Sequence, residues 1–408
     1  MTTPQASAPA PASPSSWLAG IRLLRLGVAL GVLVIALAVA AWWFVRSDRG
    51  PLPAGPVVAP AVSTIAAGSS HTCAVTAEGQ VKCWGANTMG QLGDGTFTQR
   101  LTPVAVGGLE RVRAIATGSG AHTCALTEAG AVKCWGANEQ GQLGNGDTGS
   151  SSVPVQVVGL ETGALGIAVG RSHSCAVTTT GLVCWGDNSS GALGNGSGES
   201  SLVPVPVEGF TARTAIALGD AVSCGIADGG RVRCWGDDGD GQLGDQNFTA
   251  VATPVPVPGI DRPVVSVSVS DTHVCVVTVD ATVWCWGANR SAQLGRGATS
   301  PSSTPAPVPA VQGVARVVAG FQRTCALQQS GPATCWGGVD EATPGSGRPS
   351  PATASDLGDD VAALSLGSFH GCLVTGSGGV KCWGTNTNGQ LGDGSTTDSV
   401  VPVEVKGF

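Results

Sequence analysis

The chain has 408 residues, only 12% of them Asp, Glu, Lys or Arg, and no tyrosine. Carboxylates outnumber Lys and Arg by 28 to 21, giving a formal charge of −7 that argues against a nucleic-acid partner. So sparse a supply of charge also leaves little from which to assemble an acid–base active site.

Residues 1–21 are rich in Pro, Ala and Ser and read as a disordered tail. Residues 22–46 read as a transmembrane signal-anchor helix, because Leu26 to Val45 gives twenty residues without a charge between Arg22 and Arg25 on one side and Arg46 on the other. Twenty apolar residues are enough to cross a bilayer. A cleaved signal peptide has a shorter apolar core, and Trp42 and Trp43 beside Arg46 resemble an interfacial anchor. The small residues Ala38 to Ala40 keep a cleaved, secreted form open. Two arginines precede the span and two follow it, so charge does not set its orientation. Residues 47–61 form a Pro-rich linker to a repeat region at 62–408.

In that region Cys73, Cys124, Cys175, Cys224, Cys275, Cys325 and Cys372 recur at spacings of 51, 51, 49, 51, 50 and 47 residues. A period near fifty marks a propeller or a solenoid. Each copy contains short β-branched runs bounded by glycine, such as AVT, QVKCWG and PVAV, and no helical periodicity. A single small sheet cannot bury both its faces, so seven of them are expected to close into an all-β ring.

The signature HTCALT…GxVxCWGxNxxGQLGxG resembles the repeat of the regulator of chromosome condensation family, whose members form seven-bladed β-propellers. The resemblance runs from about Val62 to Phe408. Copy six departs most, continuing after Trp336 and Gly337 without the asparagine or GQLG. Val222 and Arg323 stand where other copies have histidine.

The hairpin inside each copy can be registered from its turn. Ala77, Glu78 and Gly79 suit a three-residue turn with glycine in the left-handed position, which sets Val75 across from Val81 and Cys73 across from Cys83. Copy three is one residue shorter and keeps its pair opposed if Thr179 and Thr180 make the turn; in copy five Ala281 takes the glycine's place at some strain. Seven disulfides are therefore expected: Cys73 with Cys83, Cys124 with Cys134, Cys175 with Cys184, Cys224 with Cys234, Cys275 with Cys285, Cys325 with Cys335, and Cys372 with Cys382. Each closes a short loop, stabilising by about 2–3 kcal/mol. Such bridges place the propeller on the extracytoplasmic side of a cell membrane. The alternative is paired, buried free thiols, which cytosolic members of the family carry at similar positions. Either way the ring must close by packing or by strand exchange between the first and last copies.

The same slots limit the chemistry. His71, Cys73 and Cys83 share one face and form an incomplete zinc set; no fourth ligand recurs, so no metal or other cofactor is expected. The histidine is instead expected to bond backbone where blades meet. All five, His71, His122, His173, His273 and His370, fall in one repeat slot and so in different blades, which leaves no catalytic residue to name. Trp84, Trp135, Trp185, Trp235, Trp286, Trp336 and Trp383 read as wedges between blades, with Trp284 as an exposed extra. Asn87, Asn138, Asn188, Asn289 and Asn386 should tie the GQLG turn through side-chain bonds. In copy four Asp238, Asp240 and Asp245 imitate a calcium loop without its bidentate glutamate.

What remains is surface. Variable loops after GQLG should gather at one rim, with Phe97, Arg100, Glu199 and Phe248 as its candidate binding residues. A monomeric, membrane-anchored, non-catalytic scaffold for a protein or glycan partner is expected, and the family's β-lactamase-inhibiting propeller implies that such a ring can be a protein ligand. The alternative by resemblance is nucleotide exchange on a small GTPase, which implies a cytoplasmic or nuclear setting and a basic surface.

Overall fold

Every copy of the repeat folds as four antiparallel strands taken in chain order, in a computed structural model that describes residues 62–210, 215–329, 332–338, 348–353 and 357–408. In the first blade these are β1 (Val62–Ala67), β2 (His71–Thr76), β3 (Val81–Gly85) and β4 (Arg100–Ala105). Seven such sheets form a seven-bladed β-propeller within the compact unit Ala59–Phe408. The first strands of neighbouring blades touch one another, so β1 and its counterparts line the axis and β4 and its counterparts form the outer edge. Among the described residues no helix is long and apolar enough to cross a membrane. The expected span at 26–45, with the tail and linker around it, lies outside them.

Strand position explains the sequence pattern. β2 is buried at all six positions, because it is central in its sheet and each face of that sheet packs on another blade. It therefore reads as a continuous run of small and apolar residues rather than an alternating one. β4, at the edge, is only partly buried along its length and tolerates proline.

The hairpins have the expected register. Cys73 faces Cys83 and Val75 faces Val81, with Gly79 at φ 78° in the turn. In blade three Thr178 N donates to Gly181 O at 2.7 Å, so the turn shortens to Thr179 and Thr180 while Cys175 still faces Cys184. In blade five Ala281 takes φ 61°, the left-handed conformation that an alanine adopts at a cost. All seven cysteine pairs are disulfides, and no described cysteine is free. The zinc set is thereby excluded, since both of its sulfurs are bonded to each other.

Between blades the histidines carry a different bond from the expected one. His71 Nε2 meets Thr123 Oγ1 of the next blade at 2.9 Å, a side-chain hydroxyl rather than backbone. That hydroxyl donates to Gln91 O at 3.0 Å, and Trp135 Nε1 donates to the same carbonyl at 2.9 Å. A hydroxyl has one proton, here given to the carbonyl, so Nε2 must be the protonated ring nitrogen. The same clamp joins His122 to Ser174, His173 to Ser223, His273 to Thr324 and His370 to Thr72. The repeat tryptophans are fully buried wedges, as the sequence implies, whereas Trp284 is half-buried against the cluster around Val232.

The last of these clamps closes the ring. His370 reaches Thr72 at 2.7 Å, and Thr72 Oγ1 and Trp84 Nε1 both donate to Gln390 O. Gly394 N donates to Leu101 O just as Gly95 N does to Ser152 O. Blade seven supplies its own four strands from Val361–Leu366 to Ser399–Glu404, so closure is by packing, with no strand exchanged.

Two joints lack the clamp, and each lacks both of its halves. Between blades four and five Val222 replaces the histidine and Val274 the hydroxyl; both are fully buried in one apolar cluster. Between blades six and seven Arg323 replaces the histidine and Gly371 the hydroxyl. There the Trp383 ring lies 2.6 Å from where a Cβ on Gly371 would sit, and its Nε1 is buried without a partner among the described residues.

Candidate functional site

Alternating strand direction brings the β1–β2 turn and the β3–β4 loop out at the same end of each sheet. The hairpin turn and the connection to the next blade emerge at the other end. One side of the ring thus collects all the long loops, and it is called the loop face below.

Asparagine makes these long loops rigid. Asn87 Oδ1 accepts from Leu92 N at 3.0 Å, while Nδ2 donates to the carbonyls of Thr96 and Thr98. Asn138, Asn188, Asn289 and Asn386 cap the corresponding leucine amides in the same way. The candidate rim residues stand on this scaffold. Phe97 and Phe248 are more than half exposed, Glu199 is exposed, and Arg100 is held by Asp94 at 2.7 Å. They share a face but belong to blades one, three and four, and no contact joins them into one patch.

Asp238 takes the asparagine's place in blade four. Its Oδ1 still accepts from Leu243 N at 2.7 Å, while Oδ2 is buried with no partner in hydrogen-bonding geometry among the described residues, though the Phe248 and Thr249 amides nearby favour its charged form. Burial raises its pKa to about 6, with the nearby Asp245 charge adding to the effect. The loop that follows has two non-glycine residues at positive φ, Gln246 at 73° and Phe248 at 54°. The three aspartates do not converge, and the described residues contain no group of three His, Cys, Asp or Glu able to hold a metal.

On the axis, the β1–β2 turns form a tight ring. A Cβ on Gly118 would lie 2.0 Å from Gly170 O, on Gly219 2.0 Å from Ser270 O, and on Gly367 2.0 Å from Gly68 O, so close approach of neighbouring turns demands glycine. The next position carries Ser69, Ser119, Arg171, Asp220, Asp271, Phe321 and Ser368 in blades one to seven. This ring surrounds the channel mouth, a cavity of about 80 Å³ to which every blade contributes. Arg171 pairs with Asp220 at 3.2 Å, and Phe321 stacks obliquely on Phe369 with centroids 6.1 Å apart. Burial raises the pKa of Asp271, with Asp220 adding to the rise; the Ser119 hydroxyl and Arg171 oppose it.

These mouth residues are absent from the sequence-derived site. Their signal was a variable slot between an almost constant glycine and histidine, reading Ser, Ser, Arg, Asp, Asp, Phe and Ser. The histidines, by contrast, lie in five separate joints. Desolvation drives their pKa values down, to about 4 for His71 and His173 and about 3 for His122, His273 and His370. They are neutral structural groups with no shared substrate space.

Models of the Regulator of chromosome condensation (RCC1) repeat match residues 62–91, 112–142, 166–192, 214–242, 264–293 and 361–390, and in a second framing 78–126, 129–177, 182–226, 229–277, 280–327 and 377–408. The chain belongs to the RCC1 repeat family. Within that family it is 32% identical over 361 residues to the E3 ubiquitin-protein ligase HERC2 of Homo sapiens, covering 85% of this chain but only 6% of the ligase. It is 30% identical to the ultraviolet-B receptor UVR8 of Arabidopsis thaliana over 84% of this chain and 69% of the receptor. Among solved structures, human WBSCR16 superposes with a TM-score of 0.72 at 22% identity, over 80% of this chain and 95% of that one. Yeast RCC1 (Prp20), solved with Kap60, gives 0.71 at 20% identity over 88% and 91%. These RCC1-repeat propellers establish the fold. Copy six, where the shorter repeat model has no match, is also the copy with neither the asparagine nor any counterpart of GQLG.

Proposed function

We propose that this chain is a membrane-anchored, extracytoplasmic propeller that works as a non-catalytic binding scaffold and presents its loop face to a partner. The observation that carries the reading is the oxidation of the cysteines: seven blades hold seven disulfides, each between consecutive cysteines. Structural disulfides persist in oxidising compartments and are rare in the cytosol. The apolar stretch at 26–45 supplies the anchor in this reading. The loop face supports the binding role, because rigid turns hold changeable side chains there.

Alkylating the intact protein and weighing it before and after reduction tests the compartment. Fourteen cysteines that react only after reduction are expected; label taken up by the unreduced protein sinks the reading. A periplasmic-type reporter fused after Phe408 tests the orientation separately. Yeast Prp20p is described through its binding to Gsp1p and histones. A comparable role here would require a reduced chain and a surface suited to nucleosomes, which the −7 charge and the disulfides oppose.

A further inference from the structure

The channel mouth is built unlike the rest of the loop face. Among its lining residues Asp271 alone is charged, and the remainder are small, hydroxylic or apolar. Asp271 comes from blade five, yet the Ser119 hydroxyl beside it comes from blade two, three places round the ring, so this carboxylate reaches over the axis. Ser119 Oγ is close enough to favour the charged carboxylate but outside hydrogen-bonding geometry. Among the described residues it is buried without a hydrogen-bond partner, as is Thr117 Oγ1 on the same wall. Arg171, the nearby cation, is engaged by Asp220, and one guanidinium against two carboxylates leaves a net charge of −1. In the next two blades round the ring stand Phe321, which lines the mouth, and Phe369, which stacks on it and is 52% exposed.

A desolvated carboxylate, unpartnered hydroxyls and an aromatic wall around a small opening make a complementary set for one chemistry. The carboxylate and hydroxyls accept the hydrogens of an ammonium group, and the rings contact its methylene stem or meet the cation face-on. The volume is about half the roughly 150 Å³ that holds a benzene in an engineered cavity, which suits a side-chain tip rather than a free-standing ligand. We propose that the channel mouth is the specificity pocket of the loop face and takes a lysine side chain from an exposed loop of a protein partner. This rests on the binding-scaffold reading and names the chemistry of its partner.

The test uses the full chain in detergent with fluorine-labelled phenylalanine, since seven phenylalanines give a spectrum simple enough to assign. The probe is an acetylated and amidated Gly-Gly-Lys-Gly-Gly peptide, titrated to tens of millimolar. Expected are shifts at Phe321 and Phe369 with none at Phe97, a roughly tenfold loss of affinity in Asp271→Asn, and a comparable loss when the peptide's lysine is Nε-acetylated. The acetylated peptide makes the result independent of whether the variant folds. Equal binding of both peptides, shifts confined to Phe97 or Phe248, or no shift at all would overturn the proposal. Thiol labelling decides the compartment without touching this result, so failure of the pocket and failure of the extracytoplasmic reading are distinguishable.

Discussion

The joint between blades two and three and the joint between blades four and five perform the same task with opposite materials. In the first, hydrogen bonds link His122, Ser174, Trp185 and the Gln142 carbonyl, while His122 Nδ1 is buried without a partner among the described residues. In the second, Val222 and Val274 pack in an apolar cluster, while Trp286 keeps its bond to Gln242 O at 2.8 Å. A buried donor left without its acceptor costs about 1–3 kcal/mol, whereas replacing both partners with apolar groups is nearly neutral. That asymmetry explains why the histidine and the hydroxyl, some fifty residues apart in sequence, disappear together where Val222 and Val274 meet. At the joint between blades six and seven, Trp383 Nε1 is buried without a partner among the described residues.

Acid should expose this difference most strongly. The clamp histidines are neutral in the fold, with pKa values near 3 or 4 against about 6.5 in an unfolded chain. Between those values the unfolded state binds more protons, so stability rises with pH and falls on acidification from about 6.5 towards 4. Each histidine contributes up to about 1.4 kcal/mol per pH unit, and five together give a slope approaching about 7 kcal/mol per unit. Denaturation midpoints measured at intervals from pH 7 to 4 check it; a flat profile would refute neutral buried clamps. In His122→Val/Ser174→Val the slope should drop by one histidine's share, since blades two and three would then be joined like blades four and five.

Breaking half of a clamp comes next in size. Ser174→Val strands the His122 Nε2 proton and removes the bond to Gln142 O, at an expected cost of about 2 kcal/mol. The double variant should recover about 1 kcal/mol of that, as a coupling energy in urea unfolding. Strict additivity would show that the pairwise loss at Val222 and Val274 is coincidence.

The smallest effect concerns Asp238, where the loop cap rather than the joint is altered. Its folded pKa of about 6 lies above the unfolded value, so its contribution is present at low pH and is lost as pH rises through 6. Asp238→Asn should therefore stabilise the protein at pH 8 by about 1 kcal/mol, less than the full shift implies because the loop is partly screened by solvent. The gain should vanish below pH 4, and thermal melts at both pH values read it.

The sequence made the hairpins legible because turn and cysteine pair constrain one another within ten residues: Gly79 and Ala281 sit in the same slot, and Cys73 and Cys275 keep their partners. The asparagine cap was legible for the same local reason. The clamp was not, since the histidine's partner lies one repeat further on and a strand-end histidine has backbone carbonyls close at hand. Only the paired losses at Val222 and Val274, and at Arg323 and Gly371, disclose it within a single chain. Ring closure stayed open because packing and strand exchange use the same residues. The channel mouth was missed because Asp271, Phe321 and Ser119 come together only through the rotation of the ring.

The disulfides bear on how the molecule is made as well as how it is held. Each cysteine is bonded to the next one along the chain, nine or ten residues away, and the following pair begins only some forty residues later. During synthesis from the amino terminus, a bond that closes as its second sulfur emerges leaves no stray thiol waiting for the next pair. Oxidation thus advances in step with elongation, hairpin by hairpin. The one long-distance event left for the finished chain is the non-covalent docking of blade seven against blade one.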